Sequence, residues 1–225
     1  MKEPDEERIV QSWCRNAAPW TAAVRDKMIR SRSLVTDRAI VDAVVSRSPR
    51  SVLDVGCGEG WLSRELSARQ IQVTGIDAVA GLVECARVAG GGDFRVMSYE
   101  SLASGQLDLE VDAIVCNFAL IGKTSVEGLL AAVRSLLGRA GSIVIQTLHP
   151  LVACDDAPYR DGWRDGSWNG FDGGFTDPAP WYFRTLASWF DLLGDSGLRL
   201  IELREPLHPD TGMPASLIFI ADVAT

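Results

Sequence analysis

Residues 52–60 read VLDVGCGEG, and a second apolar run at 73–77 reads VTGID. The residues between them are typical of a helix, so the chain passes from a strand through a glycine turn and a helix into a strand that ends on an acid. Glycines at 56, 58 and 60 allow a sharp turn that brings backbone N–H groups against a ligand. An acid at the tip of the next strand can accept hydrogen bonds from both ribose hydroxyls. The pattern therefore predicts a doubly wound α/β sheet with a nucleoside site.

The spacing of the glycines distinguishes between nucleoside ligands. The dinucleotide pattern G-x-G-x-x-G would place its last glycine at position 61, where the chain has Trp61. The pattern D-x-G-x-G-x-G, with Asp54 as its leading acid, instead resembles the class I S-adenosylmethionine-dependent methyltransferases. The similarity continues through DAIVCNF at 112–118 and GSIVI at 141–145, which resemble the fourth and fifth strands of that family. Together these segments cover about residues 50–147.

The resemblance implies a Rossmann-like class I methyltransferase fold within the α/β class. Its seven-stranded, mostly parallel sheet has the order 3-2-1-4-5-7-6, with strand 7 antiparallel and helices on both faces. The residues support the antiparallel pair independently, because the link between the apolar runs at 198–203 and 216–221 is too short for a crossover helix. Further helices are predicted at 125–137 and 182–194, and Thr36 is the predicted N-cap of an earlier helix.

The chain of 225 residues is long enough for one α/β core with a cap, so a single methyltransferase domain over 1–225 is predicted. An N-terminal helical cap over 1–48 precedes the cofactor-binding core at 50–147. Residues 148–184 are rich in glycine and aromatic side chains and are predicted to form an insertion or lid. Residues 185–225 are predicted to form a C-terminal helix and an antiparallel hairpin.

The net charge of −8 and the pI near 4.8 argue against a nucleic-acid surface, which needs clustered Lys and Arg. The basic run Arg25–Arg32 contains Asp26 and is interpreted as a solvated helix face. Neither a membrane-spanning stretch nor a signal peptide is recognised, so we expect a cytoplasmic protein without a membrane partner. The five cysteines form no C-x-x-C pair, which favours free thiols and gives no indication of a metal site.

The resemblance also implies a set of cofactor-binding residues. Asp77 is expected to bind the two ribose hydroxyls, and Asp54 to accept hydrogen bonds from loop amides or from the ligand ammonium. In this family an acid near the end of strand 3 usually binds the adenine amino group. Ser98 stands there in this chain, and its hydroxyl with the Tyr99 amide is the expected substitute. The predicted site for S-adenosylmethionine, and for its product S-adenosylhomocysteine, comprises Asp54, Gly56, Cys57, Gly58, Gly60, Asp77, Ala78, Ser98, Tyr99, Asn117 and Phe118.

The acceptor side carries fewer diagnostic residues, because a sulfonium donor makes a catalytic base optional. His149 follows the fifth strand and is the candidate base, since imidazole is suited to proton removal near neutrality; the alternative is a bond to loop backbone only. Trp13 and Trp20, on an amphipathic N-terminal helix, are expected to pack as core; the resemblance implies the alternative that the N-terminal helices lie over the cofactor as a lid, as in many small-molecule methyltransferases. Residues that could wall a pocket for a planar or anionic small molecule, or else form a packed cluster, are Tyr159, Arg160, Trp163, Trp181, Tyr182, Arg184 and His208.

The function predicted from the resemblance is S-adenosylmethionine-dependent methyl transfer to an O, N or C centre of an unidentified small molecule, by a monomer or homodimer. One alternative is a nicotinamide-dependent oxidoreductase, which Trp61 disfavours. Another is a non-catalytic cofactor-binding subunit that regulates a partner. A nucleoside triphosphate site at Gly122-Lys123-Thr124 is disfavoured because a P-loop needs a glycine where the chain has Asn117.

Overall fold

The structure, a computed structural model, describes residues 4–171 and 174–224. The helices are α1 (Pro4–Arg25), α2 (Asp37–Val45), α3 (Trp61–Ser67), α4 (Ala80–Ala89), α5 (Tyr99–Ala103), α6 (Thr124–Ala132), α7 (Pro150–Ala153) and α8 (Leu186–Asp195). The strands are β1 (Ser51–Val55), β2 (Gln72–Asp77), β3 (Asp93–Val96), β4 (Val111–Asn117), β5 (Leu137–Thr147), β6 (Gly162–Arg164), β7 (Trp181–Phe183), β8 (Leu198–Arg204) and β9 (Leu217–Val223). A π-helical turn (Arg32–Thr36) precedes α2, and a 3-10 turn (Val133–Ser135) follows α6. Within the described ranges, no helix combines the length and the apolar character that crossing a membrane requires.

Seven strands form one sheet in the order β3-β2-β1-β4-β5-β9-β8. This confirms the predicted order 3-2-1-4-5-7-6, with β8 and β9 as the sixth and seventh strands. β1 pairs in parallel with β2 and β4, whereas β9 is antiparallel to both β5 and β8. β6 and β7 form a separate antiparallel pair.

The central strands are apolar on both faces because helices cover both sides of the sheet. On one face, Val52 of β1 packs in a cluster with Ile40 of α2 and Leu62 of α3. On the other face, Leu53 packs in a cluster that includes Leu129 of α6. The two layers hold the carboxyl ends of the parallel strands at one edge, where ligands bind in open α/β sheets.

Two predicted boundaries near helices are wrong. Helical conformation begins at Arg30, so Thr36 lies inside a continuous helical run and its side chain makes no capping hydrogen bond. The helix predicted at 125–137 ends at Ala132, and Leu137 begins β5 opposite Val111. The spacing of apolar residues indicates which of them are buried, and Leu137 is buried whether it lies in a helix or in a strand. The spacing therefore did not show that Leu137 begins β5.

The helix predicted at 182–194 is also misplaced at its start. Residues 181–183 form β7, and α8 begins after Thr185, whose hydroxyl accepts a hydrogen bond from the Ser188 N–H. The aromatic residues of β7 favour an extended backbone. An N-cap residue precedes the first residue of its helix, so the helix capped by Thr185 begins at Leu186.

Gly75 in β2 allows the ring of Phe94 to pack against the backbone. An alanine Cβ there would lie 2.6 Å from Phe94 Cδ1 and 3.0 Å from Cys57 Sγ. We expect Gly75→Ala to lower the free energy of unfolding by about 1–3 kcal/mol, because the ring must shift inside a packed core. Gly128→Ala on α6 is the control, since nothing lies within 4 Å of its ideal Cβ, and it should be neutral or stabilising by up to about 1 kcal/mol. Denaturant unfolding measures both changes, and a Gly75→Ala protein as stable as the wild type would contradict this packing.

Candidate functional site

A cavity of about 440 Å³ opens at the carboxyl edge of the sheet. The predicted cofactor residues that line it are Asp54, Gly56, Cys57, Gly58, Asp77, Ala78, Ser98, Tyr99, Asn117 and Phe118. The predicted acceptor residues that line it are Trp181, Tyr182 and Arg184. The structure therefore brings most of the residues chosen from the sequence into one space, and it adds side chains from α1 and from the helical run that leads into α2.

The glycine loop contacts the cavity through its backbone. Gly56 has a φ of +74°, and a Cβ there would lie 2.4 Å from the Cβ of Ala119, so only glycine fits. Gly60 differs from the prediction, because it is not among the residues that line the cavity; an added Cβ there would lie 3.0 Å from Phe94 Cζ. Burial raises the pKa of the Cys57 thiol, which keeps it protonated and unreactive.

Asp77 bridges the loop after β1 and the loop after β2. Its Oδ2 accepts a hydrogen bond from Gly58 N–H at 2.9 Å, and its Oδ1 accepts one from Val79 N–H at 2.8 Å. Burial raises the pKa of Asp77, while these two hydrogen bonds act in the opposite direction. Each carboxylate oxygen has a second lone pair available, so the group remains able to accept hydroxyl hydrogen bonds.

Asp54 is a buried carboxyl at the base of the cavity, only 1% exposed. Its Oδ2 accepts a hydrogen bond from Ser63 Oγ at 2.8 Å. Burial raises the pKa of Asp54 from its ordinary value of 3.8 to about 7; the Ser63 hydrogen bond lowers it, and the nearby charge of Asp77 raises it. A cationic group in the cavity would favour the ionised form.

Ser98 and Tyr99 both line the cavity, but their hydroxyls have partners. Ser98 is the N-cap of α5, and its Oγ accepts a hydrogen bond from Ser101 N–H at 3.2 Å. The Tyr99 hydroxyl donates to the Ala119 carbonyl at 3.1 Å, and burial raises its pKa well above the usual value. Both hydroxyls therefore serve first to fix the loop after β3.

Among the described residues, three polar atoms of the cavity lining are buried without a hydrogen-bond partner: Arg32 Nη2, Thr36 Oγ1 and Asn117 Oδ1. The Arg32 guanidinium lies 4.6 Å from the centre of the Trp61 ring, and its Nε donates to Asp37 Oδ1 at 2.9 Å. Buried polar groups are normally satisfied, so unpartnered atoms at a cavity wall indicate a polar ligand.

Arg32 and Thr36 were missed at the sequence level. The interpretation of Arg25–Arg32 as a solvated helix face is wrong at Arg32, which is 9% exposed. Arg25 is exposed, although its Nε also donates to the buried carboxylate of Glu59. Arg32 and Thr36 are four residues apart, a spacing that places both side chains on one helix face. That spacing was the sequence feature from which the pair could have been found.

His149 is not among the residues that line the cavity. Its Nδ1 accepts a hydrogen bond from Leu151 N–H at 3.3 Å, and its Nε2 lies 2.7 Å from Glu205 Oε1. It is the N-cap of α7, and both ring nitrogens are engaged. The Nδ1 contact is the loop-backbone bond considered as the alternative, whereas the contact with the Glu205 side chain was not predicted. The arrangement does not support a base at His149.

Four other predicted acceptor residues also lie outside the cavity lining. The Tyr159 hydroxyl accepts from Leu186 N–H at 2.9 Å, and Arg160 is exposed. Trp163 packs edge-on against Tyr182 in the β6–β7 pair, and His208 Nδ1 accepts from Asp210 N–H in the β8–β9 loop. These four residues belong to the segments that surround the cavity lining.

Arg184 lines the cavity but is already bound to the protein. Its Nη1 donates to the Gly122 carbonyl at 2.8 Å and its Nη2 to the Lys123 carbonyl at 3.0 Å. Glu127 Oε1 lies at 3.8 Å, and burial lowers the pKa of Arg184. The backbone of the same segment also binds Glu6 of α1, which accepts hydrogen bonds from Lys123 N–H and Ser125 N–H. Both charges at this end of the cavity are thus satisfied internally.

Four aromatic residues cover the cavity, and we call them the aromatic roof: Trp13, Trp20, Trp168 and Phe171. Trp13 meets Trp20 edge-on with ring centres 5.0 Å apart and meets Trp168 at 5.7 Å. Trp20 Nε1 lies 3.8 Å from the position of a Cβ on Gly58, directly above the glycine loop. Trp13 and Trp20 therefore contribute to a cavity wall, whereas they were expected to pack as core.

The chain matches the family described as "Methyltransferase domain" over residues 28–203. This chain belongs to that family. The resemblance drawn from the glycine loop and the parallel strands is confirmed, and the methyltransferase domain includes all the cavity residues except those contributed by α1 and by Ala215.

A curated relative is the ubiquinone biosynthesis O-methyltransferase of Xanthomonas oryzae pv. oryzae, 35% identical over 114 residues. The match covers 48% of this chain and 47% of the relative, so the chain spans about half the length of the curated relatives it matches.

Solved structures share the fold of this methyltransferase domain. A putative S-adenosylmethionine-dependent methyltransferase from Listeria monocytogenes has a TM-score of 0.65 at 16% identity, covering 84% of this chain and 100% of that chain. The 1,6-didemethyltoxoflavin-N1-methyltransferase of Burkholderia thailandensis, solved with its acceptor and S-adenosylhomocysteine, has a TM-score of 0.64 at 17% identity, covering 100% and 92%.

Asp54→Asn should change how stability depends on pH. Because the pKa of Asp54 is about 7 in the folded protein against an ordinary 3.8, the folded state binds more protons between these values. The wild type should therefore lose stability relative to Asp54→Asn as pH rises from about 4 to 7, by up to about 4 kcal/mol, with no further divergence above about pH 8. Denaturant unfolding across this range measures the difference, with the exposed Asp108→Asn as control. Parallel stability curves for wild type and Asp54→Asn would contradict the buried carboxyl.

Proposed function

We propose that this chain transfers a methyl group from S-adenosylmethionine to an uncharged, largely apolar small-molecule acceptor. The observation that carries the proposal is the charge pattern of the cavity, with a buried, unpartnered guanidinium nitrogen on Arg32 and buried carboxyls on Asp54 and Asp77. A ligand that contains an α-amino acid and a ribose matches these groups. The family match over residues 28–203 supports the same cofactor class.

Each polar part of the cofactor has a complementary group in the cavity. Arg32 Nη2 and Thr36 Oγ1 suit the amino-acid carboxylate, since a guanidinium forms strong charge-assisted hydrogen bonds to it. Asp54 and the unpartnered Asn117 Oδ1 suit the ammonium. Asp77 suits the ribose hydroxyls because its oxygens are oriented by Gly58 and Val79.

The adenine is assigned to the part of the cavity beside Ala78 and Val79, where apolar atoms can cover one face of the ring. Since the hydroxyls of Ser98 and Tyr99 already have partners, base recognition would rest on stacking and on backbone groups near α5.

When bound, S-adenosylmethionine supplies an activated methyl group on a sulfonium. The protein then has to orient the acceptor in line with that group and exclude water. The aromatic roof is suited to excluding water, and Asn117 and Phe118 at the end of β4 are suited to positioning the acceptor atom. The sulfonium supplies the activation, and the proton lost by an O–H or N–H acceptor on methylation passes to water, since no described cavity residue is assigned as a base.

The acceptor class follows from the charges that remain available. Arg184 donates to two backbone carbonyls and Glu6 accepts from backbone amides, so neither offers an uncompensated charge to a ligand. The same region is lined by Ile9, Trp13, Ile121, Pro150, Trp181 and Phe183. An uncharged acceptor with apolar or aromatic character fits this wall, and the anionic acceptor considered from the sequence does not. The curated relatives named for ubiquinone biosynthesis support a small-molecule acceptor.

Arg32→Met should weaken cofactor binding while keeping an apolar side chain against Trp61. Loss of a hydrogen bond to a charged group corresponds to about 1.5–3 kcal/mol, so the dissociation constant of S-adenosylhomocysteine should rise by roughly 10- to 150-fold. Arg30→Met is the control, since Arg30 is 76% exposed in its side chain and pairs with Asp210 at the surface. Calorimetry on the three proteins measures the effect. Equal affinities, or tighter binding of NAD than of S-adenosylhomocysteine by the wild type, would contradict the assignment.

Turnover tests the catalytic part of the proposal. The protein is incubated with S-adenosylmethionine and pairs of ring-containing acceptors that differ only by an added carboxylate or phosphate, and S-adenosylhomocysteine is quantified by mass spectrometry. We expect product with uncharged members and at least about tenfold less with their charged counterparts. Among the described residues, Arg32 is assigned to the cofactor carboxylate and Arg184 is bound to two backbone carbonyls, so neither compensates the added charge. Cofactor binding without product from any acceptor would favour a non-catalytic subunit, and preference for the charged members would overturn the acceptor class.

A further inference from the structure

Helix α1 and the segment around Thr176 are joined by one buried side chain. Asn16 of α1 is 0% exposed. Its Nδ2 donates to the Thr176 carbonyl at 2.7 Å, and its Oδ1 accepts from the Thr176 N–H at 2.9 Å. The amide thus pairs with both backbone polar groups of one residue, as a neighbouring strand would.

The contacts beside Asn16 repeat the same connection. The Ser12 hydroxyl donates to the Asp177 carbonyl, and Arg15 forms an ion pair with the Asp177 carboxylate. Asn16 Nδ2 also donates to the Ser12 carbonyl at 2.8 Å, which fixes its orientation on the helix. A single face of α1 therefore holds residues 176 and 177.

The same connection reaches the aromatic roof. Trp168 Nε1 donates to the Thr176 carbonyl at 3.1 Å, so the acceptor atom held by Asn16 also holds the indole of Trp168. Trp168 in turn packs edge-on against Trp13, which lies one helical turn before Asn16. Thr176 itself does not line the cavity, whereas Trp13 and Trp168 do.

We propose that Asn16 is a positioning residue that couples α1 to the described residues 168–171 and 174–177, so that these segments open and close together as one lid over the cofactor and acceptor. Without Asn16, the Thr176 N–H loses its partner and the Thr176 carbonyl keeps only Trp168 Nε1, so the buried connection between α1 and the Thr176 segment is lost. This inference rests on the proposed function for its ligand, but the joint movement of the two segments is a property of the protein alone. Helix α1 lies outside the region matched by the family.

The test compares Asn16→Leu, which keeps the branched shape and removes both hydrogen bonds, with Thr176→Ala, which leaves the backbone groups that Asn16 binds. Hydrogen exchange is measured on the free proteins. In Asn16→Leu, exchange should rise in the segments 6–20 and 168–171 together with 174–177, while β1 and β4 stay as protected as in the wild type. Thr176→Ala should match the wild type. Faster exchange in one segment alone, or in neither, would overturn the joint lid.

Ligand release gives the second readout. The dissociation rate of S-adenosylhomocysteine should increase by about tenfold or more in Asn16→Leu and by less than about twofold in Thr176→Ala. An unchanged rate in Asn16→Leu would overturn the positioning role. If Asn16→Leu does not fold, Asn16→Asp carries the same test, since it keeps the acceptor and loses only the donor. Absence of ligand binding in the wild type would count against the proposed function, and the exchange measurement would still decide whether the two segments move together.

Discussion

The hydrogen bond from Gly58 N–H to the Asp77 carboxylate is the contact on which the rest of the site depends. It ties the glycine loop after β1 to the end of β2, and Val79 N–H binds the other carboxylate oxygen. Adjacent parallel strands end side by side, so this carboxylate lies at the sheet edge beside Asp54. Gly56 can turn beneath Ala119 only because it has no side chain. The backbone therefore brings two carboxyls close together in one cavity.

The cavity is electrostatically incomplete without a ligand. Removing a charged or polar group from water is unfavourable unless a partner replaces the water. Arg32 has only part of its guanidinium satisfied, through Asp37 and the faces of Trp61 and Trp20. The carboxyl of Asp54 responds to burial by a raised pKa. A zwitterionic amino acid compensates both groups: its carboxylate can pair with the Arg32 guanidinium, and its ammonium can pair with the Asp54 carboxylate.

The sheet could be predicted because each strand is marked by residues within it or next to it in the sequence. Apolar runs identified β1, β2, β4 and β5 from residue 141 onward, and a short link identified the antiparallel pair of β8 and β9. The glycine loop and Asp77 lie at the ends of those strands, so their positions followed from the fold. Placement of Arg32, Trp13 and Trp168 could not follow, because it depends on how distant segments pack over the sheet edge.

His149 shows the other limit of sequence reasoning. A histidine at the end of β5 has the chemistry of a base and the expected position, yet Glu205 and the first turn of α7 occupy its ring nitrogens. The contact between His149 and Glu205 joins residues 56 positions apart, so no periodic pattern in the sequence indicates it. Ser98 is similar, because the same hydroxyl that can bind a base is also a good N-cap.

A crystal structure with S-adenosylhomocysteine tests the central claim most directly, since the claim concerns where each part of the ligand lies. We predict that the ligand carboxylate lies within hydrogen-bonding distance of Arg32 Nη2, the ammonium faces Asp54, and both ribose hydroxyls are bound by Asp77. A ligand carboxylate directed away from Arg32, or a ribose not contacted by Asp77, would contradict the assignment of the cavity charges.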